Sequence, residues 1–253
     1  MQDRHEFALY SPNLTIELKT VSHDRTLTIR DQSTITRVGG VLRLRPGETF
    51  VVFDTTVSAH CSVLSISKKE LICSVLNQTP NKPLSPTITF LLPLLKKDDF
   101  ETALYSLVEL GTTTIQLIAT QKTQRSWAGE KELDRCQRIM IAAAEQSKNF
   151  IIPTLIPPIH LTEYLKKITE NEHPKIYFDP QGSAGLALLN NLAQQKAKHY
   201  MLMVGPEGDL TQSEKELLQA KSFYFCQLTP TVLRSVSAVI LGAGIMRTLM
   251  RKN

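Results

Sequence analysis

No stretch of this chain approaches the roughly 20 consecutive apolar residues that a membrane-spanning helix requires, which argues against an integral membrane protein. Its start, Met1-Gln2-Asp3-Arg4-His5-Glu6, lacks the charged-then-apolar build of a secretory signal, so a soluble protein is expected. Cysteine is sparse. Cys61, Cys73, Cys136 and Cys226 are scattered and form no Cys-x-x-Cys pair, a pattern that supports neither a zinc site nor a disulfide framework and fits a reducing cytoplasm. His5, His23, His60, His160, His173 and His199 are dispersed without a His-Glu-x-x-His spacing, so no metal is expected. There is no Walker-type Gly-Lys-Ser/Thr loop, no complete dinucleotide fingerprint and no Gly-x-Ser-x-Gly elbow. Kinase, nicotinamide and α/β-hydrolase chemistries therefore have no support.

What is present describes a folded chain of 253 residues, long enough for two domains, with 21% charged and 42% apolar residues rather than a disordered composition. The formal charge of +5 tilts toward a polyanionic partner, although such an excess is also common on plain surfaces.

From Phe7 to about Leu76 the signals are strand-like, at Thr26 to Arg30, Thr49 to Phe53, and a hairpin of Cys61 to Ser67 with Glu70 to Leu76. No strong helical period interrupts them, and a small β-barrel is expected. Within it, Arg37, Arg43 and Arg45 surround an apolar segment, either as phosphate contacts for nucleic acid or as a solvated strand face. Asn77 to Pro86, with Pro80, Pro83 and Pro86 spaced by three, reads as a stiff linker. Beyond it the texture alternates. Thr87 to Leu92 is a strand, Asp98 or Asp99 caps a helix closed by Gly111, Thr114 to Ala119 is a strand, and Glu130 to Ser147 is a longer helix. A loop punctuated by Pro153, Pro157 and Pro158 follows, then strands at Lys175 to Pro180, Tyr200 to Pro206 and Phe223 to Pro230, each ending in a turn and followed by a helix. The expected fold is a mainly parallel α/β sheet.

One of these turns, Gly205-Pro206-Glu207-Gly208, ends an apolar run and precedes Thr211 and Glu214, whose spacing is that of a capping box. Ligands of open parallel sheets sit at such strand ends, where backbone groups suit a flat heterocycle. A simple tight turn would need the same glycines.

Four ordered motifs narrow this reading. They are Arg125-Ser126; Ile139-Met140-Ile141-Ala142-Ala143-Ala144-Glu145-Gln146-Ser147 with Pro153; Val204-Gly205-Pro206-Glu207-Gly208; and Val232-Leu233-Arg234. Together with Val41-Leu42-Arg43-Leu44-Arg45-Pro46-Gly47-Glu48, they resemble the RsmE-type ribosomal RNA methyltransferases of the SPOUT class across nearly the whole chain. The resemblance implies a PUA-like, RNA-binding β-barrel over residues 1–76, a linker over 77–86, and a trefoil-knotted α/β methyltransferase domain over 87–253. It implies a cytoplasmic homodimer that transfers methyl from S-adenosylmethionine to N3 of one uridine in 16S, small-subunit ribosomal RNA, without membrane or metal. Met203, Val204, Gly205, Pro206, Glu207, Gly208, Leu228, Thr229, Leu233 and Arg234 would then hold the cofactor. Arg234 and Arg125 would act in catalysis, stabilising the uracil anion or placing a phosphate, unless they are surface ion pairs. Arg37, Arg43, Arg45, Arg125, Arg138 and Gln146 would contact RNA. Glu145 has Lys148 or Arg138 as candidate partners. The helix from about Ser235 to Met250 would pack in the knot and at the dimer interface, with Gly242 and Gly244 permitting close approach. The chain departs from the family pattern at Asp209 in place of a second glycine, at Thr229-Pro230-Thr231 in place of Gly-Pro-Arg, at Ser235-Val236-Ser237-Ala238 in place of Thr-Glu-Thr-Ala, and at Asn149 in place of a basic residue. An RNA-binding protein of the same fold without catalysis, and a methyltransferase aimed at another RNA position, are the alternatives.

Overall fold

A computed structural model describes residues 6–21, 24–168 and 173–250, without the side chain of residue 184. Most of the amino-terminal segment, with His5, and His23 lie outside the described residues.

In chain order the elements are β1 (Ala8–Tyr10), α1 (Leu14–Leu18), β2 (Thr26–Ile29), α2 (Gln32–Thr36), a π-helical turn (Arg37–Val41), β3 (Thr49–Phe53), β4 (Val57–Ile66), β5 (Leu71–Pro80), β6 (Thr87–Pro93), α3 (Lys97–Glu109), β7 (Thr114–Ala119) and α4 (Glu130–Ser147). They continue as β8 (Thr154–His160), α5 (Leu161–Lys167), β9 (Lys175–Ala184), α6 (Gly185–Gln194), β10 (His199–Val204), α7 (Gln212–Ala220), β11 (Phe223–Gln227) and α8 (Ser235–Leu249). The chain forms two compact units, one built from the chain up to Lys82 together with Ala144–Ile152, the other from Pro83–Ala143 and Pro153 onward.

The first unit carries a five-stranded sheet in the order β1-β3-β4-β5-β2, in which β1 runs parallel to β3 and the other pairs are antiparallel. Strand alternation sends Ala59, Cys61 and Val63 of β4 inward, against Phe50 and Val52 of β3 and Leu27 and Ile29 of β2. Three expectations change here. The Arg37 stretch is not a strand: Asp31 caps α2 by accepting the Thr34 N–H at 2.8 Å, and the helix runs on into the π turn. Part of the expected linker is strand, because β5 extends to Pro80, opposite Val57. Finally, Glu145 takes neither Lys148 nor Arg138. It receives the Arg37 guanidinium through two hydrogen bonds, 2.5 and 2.6 Å, and the Tyr10 N–H at 2.9 Å.

The second unit is a six-stranded parallel sheet in the order β11-β9-β10-β6-β7-β8. The prolines after α4 do not all make a loop. Pro153 precedes β8, while Pro157 and Pro158 lie within it, an edge strand paired only with β7, where missing N–H groups are tolerated, and Gln116 donates to the Pro157 carbonyl at 2.9 Å beside the register shift. Lys96, rather than Asp98 or Asp99, is the N-cap of α3, and the two aspartates sit in its first turn, where they favour the positive end of the helix dipole. The Thr211 and Glu214 box forms as expected: Thr211 Oγ1 accepts the Glu214 N–H at 3.3 Å and Glu214 accepts the Thr211 N–H at 2.9 Å.

Helix α8 packs on α3, α6 and β10. Arg247 fixes its far end by donating to the carbonyls of Pro86, Leu110 and Gly111 at 2.8, 3.1 and 2.8 Å, the last two being acceptors left open just past the end of α3 and the first lying just before β6. At Gly242 the Phe178 ring lies where a Cβ would stand, so only glycine fits; Gly244 has room, its nearest neighbour being Leu110 at 3.9 Å from that point. All four cysteines are free and buried, and burial pushes the Cys136 and Cys226 thiols up to about 11, outside the nucleophilic range at neutral pH.

Candidate functional site

A cavity of about 710 Å³ opens in the second unit at the carboxyl ends of β6, β10 and β11 and beside the middle of β9. This is where the sheet order reverses, since the chain runs outward from β6 to β8 and then crosses back to β9, and where open parallel sheets bind ligands. Its size suits a nucleoside-sized ligand.

Two backbone segments face it. The first follows β10: strand alternation turns Val204 to the cavity and Met203 to the core, after which Gly205, Pro206 and Glu207 form the wall. The turn is braced from several sides. Asp209 N–H donates to the Pro206 carbonyl at 2.9 Å, the Lys96 N–H to Glu207 at 2.8 Å, and Lys122 Nζ to the Gly208 carbonyl at 2.8 Å. A Cβ at Gly205 would stand 2.9 Å from both Asp209 Oδ1 and the Tyr177 hydroxyl. The second segment, Leu228 to Arg234, follows β11 and carries few bonds of its own. Thr229 Oγ1 donates to the Thr231 carbonyl at 2.7 Å, and Val232 is 79% exposed.

Of the residues expected at a cofactor, Val204, Gly205, Pro206, Glu207, Leu228, Thr229, Leu233 and Arg234 line this cavity, whereas Met203 and Gly208 do not. The wall also includes residues outside that set: Lys96 and Asp99 after β6, Tyr177 to Pro180 on β9, Asp209, Thr231, Val232, Ser235 and Ala238. The apolar run at β9 was legible; that its last residues face the same cavity depends on sheet order, which has no local signal.

The two arginines expected in catalysis differ in placement. Arg234 is exposed on the cavity wall as the N-cap of α8, and pairs with no carboxylate among the described residues. Arg125 does not line the cavity. It pairs with Glu132, donates to the Leu95 carbonyl at 3.2 Å and lies over the Phe100 ring at 4.5 Å, and burial lowers its pKa. Of the residues expected at RNA, Arg43, Arg45, Arg138 and Gln146 are exposed, while Arg37 is engaged by Glu145. Among the described residues no group of three or more His, Cys, Asp or Glu side chains is placed to hold a metal ion, and no helix is long and apolar enough to cross a membrane.

Residues 81–247, well over half of the chain, match the model of the RNA methyltransferase domain family. The chain belongs to that family. Within it, this RNA methyltransferase is 30% identical over 218 residues to the ribosomal RNA small subunit methyltransferase E of Synechocystis, covering 83% of this chain and 69% of the relative. The enzyme of that name from Aquifex aeolicus is 27% identical, over 81% of this chain and 88% of its own. Among solved structures, the ribosomal RNA small subunit methyltransferase E of Neisseria gonorrhoeae, bound to S-adenosyl methionine, superposes with a TM-score of 0.79 at 26% identity, covering 97% of this chain and 98% of that one. The RNA methyltransferase thus has the SPOUT-class α/β fold that its motifs imply, as an RsmE-type member of the family.

Proposed function

We propose that this RNA methyltransferase uses S-adenosylmethionine to methylate N3 of a uridine in small-subunit, 16S ribosomal RNA. The observation that carries the reading is the cavity between the two strand-end segments, found in a chain whose relatives over some four-fifths of its length are named ribosomal RNA small subunit methyltransferase E. The cavity fits the cofactor by volume, and its wall turns tightly at Gly205, where a Cβ would collide with Asp209 and Tyr177. Val204 to Glu207, Leu228, Thr229, Leu233 and Arg234 would hold it. The bound cofactor supplies a methyl group already activated by its sulfonium.

The chain's own work is then alignment and charge. Arg234 presents an exposed guanidinium at the cavity rim, where a fixed cation favours the uracil ring that has lost its N3 proton. Uridine N3 is hidden in Watson–Crick pairing, so the base must enter unpaired or splayed from its stack. Arg43, Arg45, Arg138 and Gln146, all exposed, are assigned to RNA contact, with the amino-terminal unit acting as a PUA-like RNA-binding module. Arg37 contributes through the part of its side chain that Glu145 leaves open, 40% exposed. Arg125, held by Glu132 and Phe100, is assigned to shaping its loop beside the RNA. The enzyme acts as a cytoplasmic homodimer. Deleting the gene and mapping ribosomal RNA modifications tests the assignment: loss of one N3-methyluridine is expected, and an unchanged N3-methyluridine in 16S RNA with loss of another methyl group would redirect the enzyme to another position.

A further inference from the structure

Beneath the Gly205 turn lies a charged cluster that the reaction as described does not use. Lys215 of α7 places Nζ 2.7 Å from Asp179 Oδ2 and 2.8 Å from Asp209 Oδ2. Asp179 is almost wholly buried, its side chain 2% exposed, and both aspartates line the cavity. Asp209 reaches further: Oδ1 accepts the Tyr177 hydroxyl at 2.8 Å and the Leu210 N–H at 2.7 Å, and stands where a Cβ on Gly205 would meet it. A buried carboxylate needs a cation or several donors, and Lys215 is the one cation bound to Asp179 among the described residues.

We propose that Lys215 is a positioning residue of the cofactor pocket: its single ammonium clamps Asp179 on β9 to Asp209 after the turn, and so holds Gly205 and Pro206 in the form that receives the ligand. This rests on the cofactor reading above for the identity of the ligand. The clamp joins three separate pieces of chain, the middle of β9, the turn after β10 and helix α7, and among the described residues no other contact ties Asp179 to the turn. Its backbone cost is visible at Asp209, which holds φ +57°, a conformation that a non-glycine residue keeps only when its surroundings fix it.

The groups facing the clamp are Tyr177 and Asp179 from β9, Asp209 and Glu207 from the turn, Lys122 on the Gly208 carbonyl, and Glu214 with Lys215 from α7. Burial alone would raise the Asp209 pKa, but the hydrogen bonds from Lys215, Tyr177 and the Leu210 N–H hold it below the usual carboxylate range. Burial pulls Lys215 down and the two carboxylates more than restore it, so its pKa is raised. A depressed carboxylate keeps its contact above its unfolded pKa and loses it as pH falls through the folded value; a raised lysine keeps its contact until pH climbs through the folded value. The clamp is therefore constant from about pH 5.5 to 8. Without the ammonium, Asp209 loses its cation and faces Asp179 as a like charge, so Asp209 takes up a proton in weak acid and the repulsion between the two is relieved.

The experiment compares wild type with Lys215→Met and Lys215→Arg by calorimetric titration with S-adenosylmethionine and with its product S-adenosylhomocysteine, which lacks the sulfonium charge, and by amide hydrogen exchange of the turn in ligand-free protein. Lys215→Met is expected to weaken both ligands alike, by about tenfold at pH 8. The loss shrinks toward pH 5.5 and is accompanied by faster exchange at Asp209 and Leu210, while Lys215→Arg stays within about threefold of wild type. Binding that is unchanged in Lys215→Met, or weakened equally at every pH, overturns the proposal. Should Lys215→Met fail to fold, Asp209→Asn breaks the same clamp at its more exposed end and is read by weaker binding of both ligands at every pH with faster exchange at Leu210, unchanged binding overturning the proposal. If wild type itself does not bind S-adenosylmethionine, the cofactor reading fails, and exchange at the turn alone decides on the clamp: unchanged protection in the variant refutes it.

Discussion

The two segments that face the cavity are built on opposite plans. The turn after β10 is braced by Lys96, Lys122, Tyr177 and Lys215, from four separate parts of the chain, whereas Leu228 to Arg234 holds itself with one internal hydrogen bond and leaves Val232 exposed. A wall with many cross-links resists deformation, and a wall with few is drawn from the low-stability end of a fold. The difference predicts a division of labour: a ligand should find the first wall already formed and should have to shape the second.

The comparison breaks most visibly at Arg234. Replacing it with alanine is expected to lower turnover by about 100-fold or more, the range for removing a charge-stabilising group, in a protein that keeps its wild-type melting profile. Near-normal turnover in a purified ribosomal RNA assay removes Arg234 from the chemistry. Next in size is Gly205→Val. Its Cβ would meet Asp209 Oδ1 and the Tyr177 hydroxyl at 2.9 Å, so the rigid wall must open, and cofactor affinity should fall by roughly 50-fold in calorimetry. An affinity close to wild type would show that the wall yields after all.

Helix α8 begins at the end of the loose wall, and its far end is pinned by Arg247. Arg247→Ala leaves three carbonyls without their donor and should cost about 2–4 kcal/mol in urea unfolding. A loss below about 1 kcal/mol would mean that water replaces the guanidinium there. The smallest effect is at Val232→Ser, which should leave stability within about 0.5 kcal/mol because the side chain is already in solvent. Ligand-induced protection from hydrogen exchange sharpens the contrast: it should be greater at Leu228 to Arg234 than at Gly205 to Asp209. Equal protection on both walls would put them in one class.

Signals carried by neighbours in sequence were legible. Alternation gave the strands, the Thr211 and Glu214 spacing gave a helix start, and the turn at Gly205 pointed to the end of a parallel strand. Features that depend on a distant partner were not. Arg37 reads as a free cation until Glu145, 108 residues on, comes to it, and Arg125 as a phosphate ligand until Glu132 and Phe100 enclose it. Pro157 and Pro158 argue for a loop unless the strand is known to lie at an edge. Asp209 stood out as a departure from the family's glycine, yet nothing local names Lys215 and Asp179 as its partners in the clamp.

The bond between Arg37 and Glu145 has a consequence for how the protein is made. The amino-terminal unit is not finished at Lys82: Phe150 covers Phe53 at 4.7 Å between ring centres, and Glu145 takes up both Arg37 and the Tyr10 N–H. As the chain leaves the ribosome, its first unit must wait for residues 144–152 before its last side chains find cover. A gene cut after Lys82 would yield a product without the ring that packs on Phe53 and without the carboxylate that holds Arg37 and the Tyr10 N–H.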